Sequence, residues 1–138
     1  MKSIKTSCTI KVEFYNLDPM NVVWHGNYIK FLEEARCDML EKIGYTYDNM
    51  REDGSVYPVA KMDLKYIKPA TFRQILLVET TLLELEPAMI ISYIIKDQKT
   101  KEKLFKAKSM QIRVDVKTRE TLYTAHKNFL QKIKEYNK

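Results

Sequence analysis

The sequence predicts an α+β fold in which an antiparallel sheet wraps around one long central helix, with a short helix at the C-terminus. Three patterns support it: an alternating segment near the N-terminus, one long helical periodicity, and several β-rich runs separated by short spacers. Short spacers favour antiparallel neighbours, because parallel strands need long crossover connections. The 138 residues leave room for a single domain, 1–138, with a substantial apolar core.

The first strand is indicated by Cys8, Ile10, Val12 and Phe14, which alternate with polar neighbours. A strand that is buried on one face has this two-residue period, because successive side chains point to opposite faces. We expect the strand to end near Asn16.

The central helix is indicated by apolar residues that recur every three or four positions, namely Tyr28, Leu32, Ala35, Met39 and Ile43. We expect Asn27 to be the N-cap, because its side-chain oxygen can accept from a free backbone N–H. Gly44 stands where a helix C-cap would lie. The apolar stripe should face the sheet and leave the charged residues in solvent, namely Lys30, Glu34, Glu41 and Lys42.

The second half of the chain reads as further strands followed by a helix. The β-rich runs are VYPVAKMDLKYIKP, QILLVETTLLELE, MIISYIIKD and KLFKAKSMQIRVDV. Pro69, the Glu86-Pro87 pair and the polar turn DQKTKEK divide them. Near the C-terminus, Phe129, Ile133 and Tyr136 have helical spacing, which predicts a short amphipathic helix.

Composition limits the classes of function. With 45% apolar and 30% charged residues, the chain reads as an ordinary folded protein. The net charge of +6 favours an anionic partner, but the lysines are spread out and no nucleic-acid motif accompanies them, so we predict no nucleic-acid partner. Cys8 and Cys37 show neither metal-site nor disulfide spacing. No segment approaches membrane-spanning length, so we expect no membrane insertion and a cytoplasmic location.

The segment NLDPMNVVWHGNY, residues 16–28, carries the most specific signal. It resembles the aspartate loop of the hotdog-fold thioesterases of the 4-hydroxybenzoyl-CoA and Tol-Pal-cluster acyl-CoA type. The matching residues are Asp18-Pro19, Val22-Val23-Trp24-His25, Asn27-Tyr28 and Glu34-Ala35-Arg36. Many relatives carry a further acid where this chain has Asn16, and a glycine where it has Asn21. The order of the strands fits the hotdog fold over nearly the whole chain.

The resemblance implies a thioesterase that hydrolyses an acyl-CoA to a free acid and CoA, without a metal or redox cofactor. Asp18 would act as general base or as nucleophile. The free N–H groups at the start of the central helix would hold the oxyanion, with the N–H of His25 as the expected donor. The catalytic candidates are therefore Asp18 and His25, and the substrate-binding candidates are Trp24, Asn27 and Tyr28.

Each of these residues also has a purely structural interpretation. Asp18 before a proline is a common turn former, and Asn27 could serve only as a helix cap. Tyr28 could be the first core residue of the helix. We interpret Glu34 and Arg36 as surface or interface charges.

The resemblance further implies a homodimer or homotetramer, since hotdog subunits pair edge to edge. An acyl carrier protein is an alternative to CoA as carrier, and a non-catalytic acyl-thioester binding protein is an alternative function. A hotdog dehydratase is disfavoured, because its glycine-histidine-phenylalanine-proline signature is absent. Basic residues near predicted strand ends could guide the CoA phosphates, namely Lys68, Arg73, Lys117 and Arg119.

Overall fold

The computed structural model describes residues 1–138 and contains a five-stranded antiparallel sheet packed against one long helix. The elements are β1 (Ile4–Lys11), a 3-10 helix (Phe14–Asn16), α1 (Asn27–Ile43), α2 (Tyr47–Glu52), β2 (Ser55–Val56), β3 (Val59–Tyr66), β4 (Ile75–Glu84), β5 (Met89–Asp97), β6 (Lys103–Gln111), β7 (Arg113–Asp115), β8 (Thr121–Leu122) and α3 (Lys127–Tyr136). The large sheet has the order β1-β4-β5-β6-β3, and β2-β7-β8 form a small second sheet.

Helix α1 lies against the sheet with the predicted stripe inward. Leu32, Ala35 and Met39 are at most 1% exposed. The four charged residues expected in solvent are exposed. Burying the apolar stripe stabilises the helix far more than its intrinsic propensity does, so the stripe fixes which face meets the sheet.

The two ends of α1 are built differently. Gly44 ends the helix as predicted, with φ of 92° and its N–H bonded to the carbonyls of Leu40 and Glu41. At the start, the N-cap is Gly26, so the prediction that Asn27 caps the helix is wrong. Asn27 is buried and its Nδ2 donates to the carbonyl of Asn16 at 2.8 Å, which ties the helix to the preceding loop.

Strand β1 ends at Lys11, earlier than the predicted end near Asn16. The N–H of Asn16 bonds to the carbonyl of Glu13 at 3.0 Å, and Asn16 Oδ1 accepts from the N–H of Glu13 at 2.8 Å. These two bonds close a tight turn that the alternating side chains do not reveal.

Strands β4, β5 and β6 form the expected antiparallel neighbours. Strand β3 does not, because it pairs with β6 and not with β4, the strand that follows it in the chain. The run KLFKAKSMQIRVDV divides at Ile112 into β6 and β7, which belong to different sheets. The small sheet and α2 were not predicted. Helix α3 is present as predicted, and it buries Phe129 and Ile133, with the Phe129 ring stacked on Tyr45 at 4.5 Å between centroids.

Arg36 is buried, so its interpretation as a surface or interface charge is wrong. Its Nε donates to the Tyr47 hydroxyl at 2.6 Å and its Nη1 to the Tyr93 hydroxyl at 3.2 Å. Tyr93 in turn shares a hydrogen bond with Ser109, and Tyr47 accepts from Gln111. A buried charge needs such partners, because an unpaired one loses its hydration without compensation.

Strand β3 forms one edge of the large sheet. It pairs only with β6, and most of its residues are exposed. An unpaired edge of eight residues offers a row of free backbone groups to another strand. None of the three helices has the length and apolar character needed to cross a membrane.

Candidate active site

The aspartate loop between the 3-10 helix and α1 is a compact turn around Asp18. Asp18 Oδ1 accepts from the N–H groups of Met20 at 2.8 Å and Val22 at 3.4 Å. Asn21 adopts the left-handed conformation, with φ of 62°. Asparagine is one of the few residues that tolerate this region, so it can occupy a position where many relatives of the resembled family have glycine. The turn fixes one carboxylate oxygen and leaves Oδ2 without a hydrogen bond.

The loop is anchored to the segment that precedes β4. Val23 donates its N–H to the carbonyl of Ala70 at 2.9 Å, and Val22 forms an isolated β-bridge with Thr71. Trp24 donates its N–H to the carbonyl of Asn16 at 2.9 Å. These bonds hold both ends of the loop, so the position of Asp18 is set by backbone contacts.

The two residues just before α1 present free amides. The N–H groups of His25 and Gly26 make no hydrogen bond within the protein. Unpaired amides at a helix start, together with the positive end of the helix dipole, favour a negative charge in front of them. This is the arrangement that a developing oxyanion requires.

A cavity of about 360 Å³ brings Asp18 and the start of α1 together. Its lining is contributed by the loop, the helix, the last residue of β3 and the segment after it, and consists of Asp18, Val22, Val23, His25, Tyr28, Tyr66, Ile67, Lys68 and Pro69. The size and the mixture of apolar walls with a few polar groups are typical of a small-molecule site.

Tyr28 forms one wall of this cavity. Its ring stacks on Phe105 at 4.8 Å, and its hydroxyl accepts from the N–H of Ala70 at 3.0 Å. The hydroxyl proton has no acceptor in the protein. Burial raises the pKa of Tyr28, with a smaller contribution from the charge of Asp18, so the hydroxyl stays protonated at neutral pH.

The other two residues predicted to bind substrate do not line the cavity. Asn27 is buried and holds the Asn16 carbonyl. Trp24 is 47% exposed and its ring lies over Gly26, where an added Cβ would be 2.3 Å from Trp24 Cζ3. The indole also lies 5.0 Å from the His25 ring between centroids, so Trp24 covers the outer side of the helix start.

Two further residues complete the cavity. The Tyr66 hydroxyl donates to the carbonyl of His25 at 2.9 Å, and Tyr66 was not singled out from the sequence. Its alternating strand pattern gave no sign that the side chain reaches the helix start. Lys68, one of four basic residues considered for CoA phosphates, lines the cavity and forms an ion pair with Glu102 at 2.7 Å. Arg73 instead lies over the Phe72 ring, 5.0 Å from its centroid.

The chain is similar to several known proteins. A putative acyl-CoA thioesterase of Bacillus subtilis, YneP, is 30% identical over 71 residues, which are 51% of this chain and 51% of that protein. A putative esterase of Aquifex aeolicus is 33% identical over 86 residues, 62% of this chain and 67% of that protein. The matched region thus spans about half of the first relative and about two thirds of the second.

The fold can be compared with a solved structure of a DHNA-CoA thioesterase from Staphylococcus aureus. The TM-score is 0.83, and the match covers 96% of this chain and 93% of that one. The sequence identity is 22%, so the likeness shows the fold alone. The predicted hotdog fold is confirmed. The family model described as the thioesterase-like superfamily matches residues 12–134. Because this match covers most of the chain, the protein belongs to the thioesterase-like superfamily.

Proposed function

We propose that this protein hydrolyses acyl-CoA thioesters to a free acid and CoA. The observation that carries the proposal is the cavity that is lined both by Asp18, with its free carboxylate oxygen, and by His25, whose N–H is free. One group activates the attack, and the other stabilises the charge that the attack creates. The name of the Bacillus subtilis relative supports an acyl-CoA as the substrate class.

In the general-base route, Asp18 Oδ2 takes a proton from water as the water oxygen attacks the acyl carbon. The electron pair of the carbonyl moves to its oxygen, which the N–H group of His25 holds. Collapse of the tetrahedral intermediate breaks the carbon–sulfur bond. The proton from Asp18 then reaches the leaving thiolate, giving the free thiol and regenerating the carboxylate.

In the nucleophilic route, Asp18 Oδ2 itself attacks the acyl carbon, and cleavage of the carbon–sulfur bond releases the thiolate and leaves a mixed anhydride on Asp18. Water then cleaves the anhydride, which regenerates the Asp18 carboxylate and supplies the proton that the thiolate takes up. After single-turnover hydrolysis in H₂¹⁸O, label in the protein identifies the nucleophilic route, whereas label in the product acid alone fits general-base attack or attack of water on the acyl carbon of the anhydride. General-base attack puts ¹⁸O into the product acid, whereas attack of water on the Asp18 carbonyl carbon puts ¹⁸O into the protein.

The proposed role of His25 rests on its backbone N–H, as the family resemblance implies. His25 is exposed. We therefore assign the imidazole no proton-transfer step. Tyr28, with a protonated hydroxyl that lacks an acceptor, is proposed to contact the acyl group or its thioester oxygen.

We propose that the functional unit is a homo-oligomer in which a second copy pairs along β3. Support comes from the free edge of this exposed strand and from its last residue, Tyr66, which lines the cavity. Lys68 at the cavity is the proposed guide for a CoA phosphate, because cations at a binding site raise the local concentration of an anionic ligand. Sedimentation velocity measures the oligomeric state.

The proposed function is tested by free-thiol release from short, long and aromatic acyl-CoAs. Turnover of at least one of them at micromolar enzyme supports the proposal and identifies the acyl class. Acyl-CoA binding without thiol release would contradict it and would favour a non-catalytic binding protein. Release only from acylated carrier protein would replace CoA with that carrier.

A further inference from the structure

The hydroxyl of Tyr66 hydrogen-bonds to the backbone just before α1. It donates to the carbonyl of His25 at 2.9 Å, and this is the only hydrogen bond that the carbonyl accepts. The contact joins the end of β3 to the residue just before the N-cap of α1, across 41 positions of the chain. The carbonyl that accepts this hydrogen bond belongs to the peptide between His25 and Gly26.

The Tyr66 ring is held in place independently of its hydroxyl. It meets Tyr28 edge-on at 5.3 Å and Phe105 edge-on at 5.0 Å between centroids. Edge-to-face contacts of this kind favour one orientation of the ring. Replacement of Tyr66 by phenylalanine should thus remove the hydrogen bond and preserve the packing.

The peptide that Tyr66 contacts is the one that carries the free N–H of Gly26. A trans peptide is planar, with its C=O and N–H pointing in opposite directions, so fixing the carbonyl also fixes the direction of the N–H. A hydrogen bond to the carbonyl further polarises the peptide and makes its N–H a stronger donor.

We propose that Tyr66 is a positioning residue for thioester hydrolysis, which orients and polarises the His25–Gly26 peptide so that the Gly26 N–H can hold the oxyanion. This inference rests on the proposed function, and it adds a second donor to the N–H of His25. It also links the edge strand β3 to the catalytic machinery, since Tyr66 is the last residue of that strand.

The first test observes the peptide itself and needs no substrate. The chain has three glycines and two histidines, and only His25 is followed by a glycine. Labelling with ¹³C-carbonyl histidine and ¹⁵N-glycine therefore gives a single HNCO cross-peak, from the His25–Gly26 peptide. In Tyr66→Phe we expect the carbonyl signal of this cross-peak to move upfield, because the carbonyl loses a hydrogen-bond donor.

The second test measures kcat and KM for an acyl-CoA that the wild type hydrolyses. We expect Tyr66→Phe to lower kcat roughly tenfold with KM unchanged, because the lost interaction acts on the transition state. Tyr123→Phe is the matched control, since Tyr123 is 68% exposed and its hydroxyl makes no hydrogen bond. The control should equal the wild type in both tests.

Each outcome has a defined meaning. An HNCO shift together with a lower kcat at constant KM supports the proposal. An unshifted cross-peak would overturn it, and so would a shifted cross-peak with unchanged kcat, or a change confined to KM. If the wild type releases no thiol from any carrier, the proposed function fails and this inference falls with it. If the wild type is active and only the Tyr66→Phe result disagrees, the positioning role alone fails.

Discussion

Removal of the Tyr28 hydroxyl should lower the stability of the fold, and this effect can be measured without an activity assay. In Tyr28→Phe the ring keeps its stacking on Phe105, but the N–H of Ala70 loses its acceptor. Ala70 is fully buried and Tyr28 is 3% exposed, so water has little access to replace the lost bond. We therefore expect the variant to fold with the same structure and a lower free energy of unfolding.

The size of the effect follows from the cost of an orphaned buried N–H. That cost is about 1–3 kcal/mol. With an unfolding entropy of about 2.1 cal/mol/K per residue, a loss of about 2 kcal/mol lowers the Tm of a 138-residue chain by roughly 7 °C.

The assay is thermal and urea unfolding at one fixed protein concentration, because oligomerisation makes Tm depend on concentration. Tyr66→Phe is the matched control, since it removes a hydroxyl that is bonded at an exposed position. We expect the control to lose less than about 0.5 kcal/mol, because water can replace the donor to an exposed carbonyl. A Tyr28→Phe variant as stable as the control would show that the bond to the Ala70 N–H does not stabilise the fold.

Three further variants test other parts of the structure. In Gly26→Ala, the Trp24 ring must move by about 1.1 Å to reach ordinary van der Waals contact with the new Cβ. We therefore expect the fluorescence emission of Trp24, the single tryptophan, to shift to longer wavelength. Unchanged emission would contradict the packing of Trp24 over Gly26. A hydrogen bond from Tyr45 is the main cause that lowers the pKa of Asp53. The ionised Asp53 carboxylate therefore contributes its full stabilisation of the fold above the ordinary pKa of 3.8, and this contribution is lost as the pH falls through the folded-state pKa. We thus expect Asp53→Asn to lower the urea midpoint at pH 7 and to match the wild type at the acid end, and a deficit independent of pH would count against this assignment. Lys68→Met should raise KM for acyl-CoA several-fold at low salt without changing kcat, and the difference in KM should disappear at high salt. Equal KM values for the wild type and the variant at low salt would exclude Lys68 from attracting a CoA phosphate.

The sequence predicted the parts of the fold that depend on local periodicity. Helix α1 was predictable because its buried residues repeat every three or four positions and Gly44 marks its end. Helix α2 was not, because only Met50 among its six residues is buried. Strands β2 and β8 have two residues each, too few to show a period.

The aspartate loop was predicted from its motif, but the partners of individual side chains were not. Asn27 bonds to a carbonyl 11 positions away, and Arg36 and Tyr93 are 57 positions apart. Local spacing carries no information on such distant pairs, so Arg36 was interpreted as a surface or interface charge. Tyr66 was missed for the same reason, since its role depends on β3 ending beside the start of α1.

The proposed reaction depends on the carboxylate of Asp18, so a variant that keeps the size of this side chain and removes its charge should lose activity. Thiol release from the best acyl-CoA should be compared for the wild type, Asp18→Asn and Asp115→Asn, with binding of the acyl-CoA measured in parallel. Asp115 is a matched control, because its Oδ1 also accepts two backbone N–H groups in a turn and it lies outside the cavity. We expect Asp18→Asn to bind the substrate but to lose at least about 100-fold in kcat, as removal of a general base or nucleophile requires, while Asp115→Asn turns over like the wild type. Wild-type turnover by Asp18→Asn would show that Asp18 does not carry the reaction.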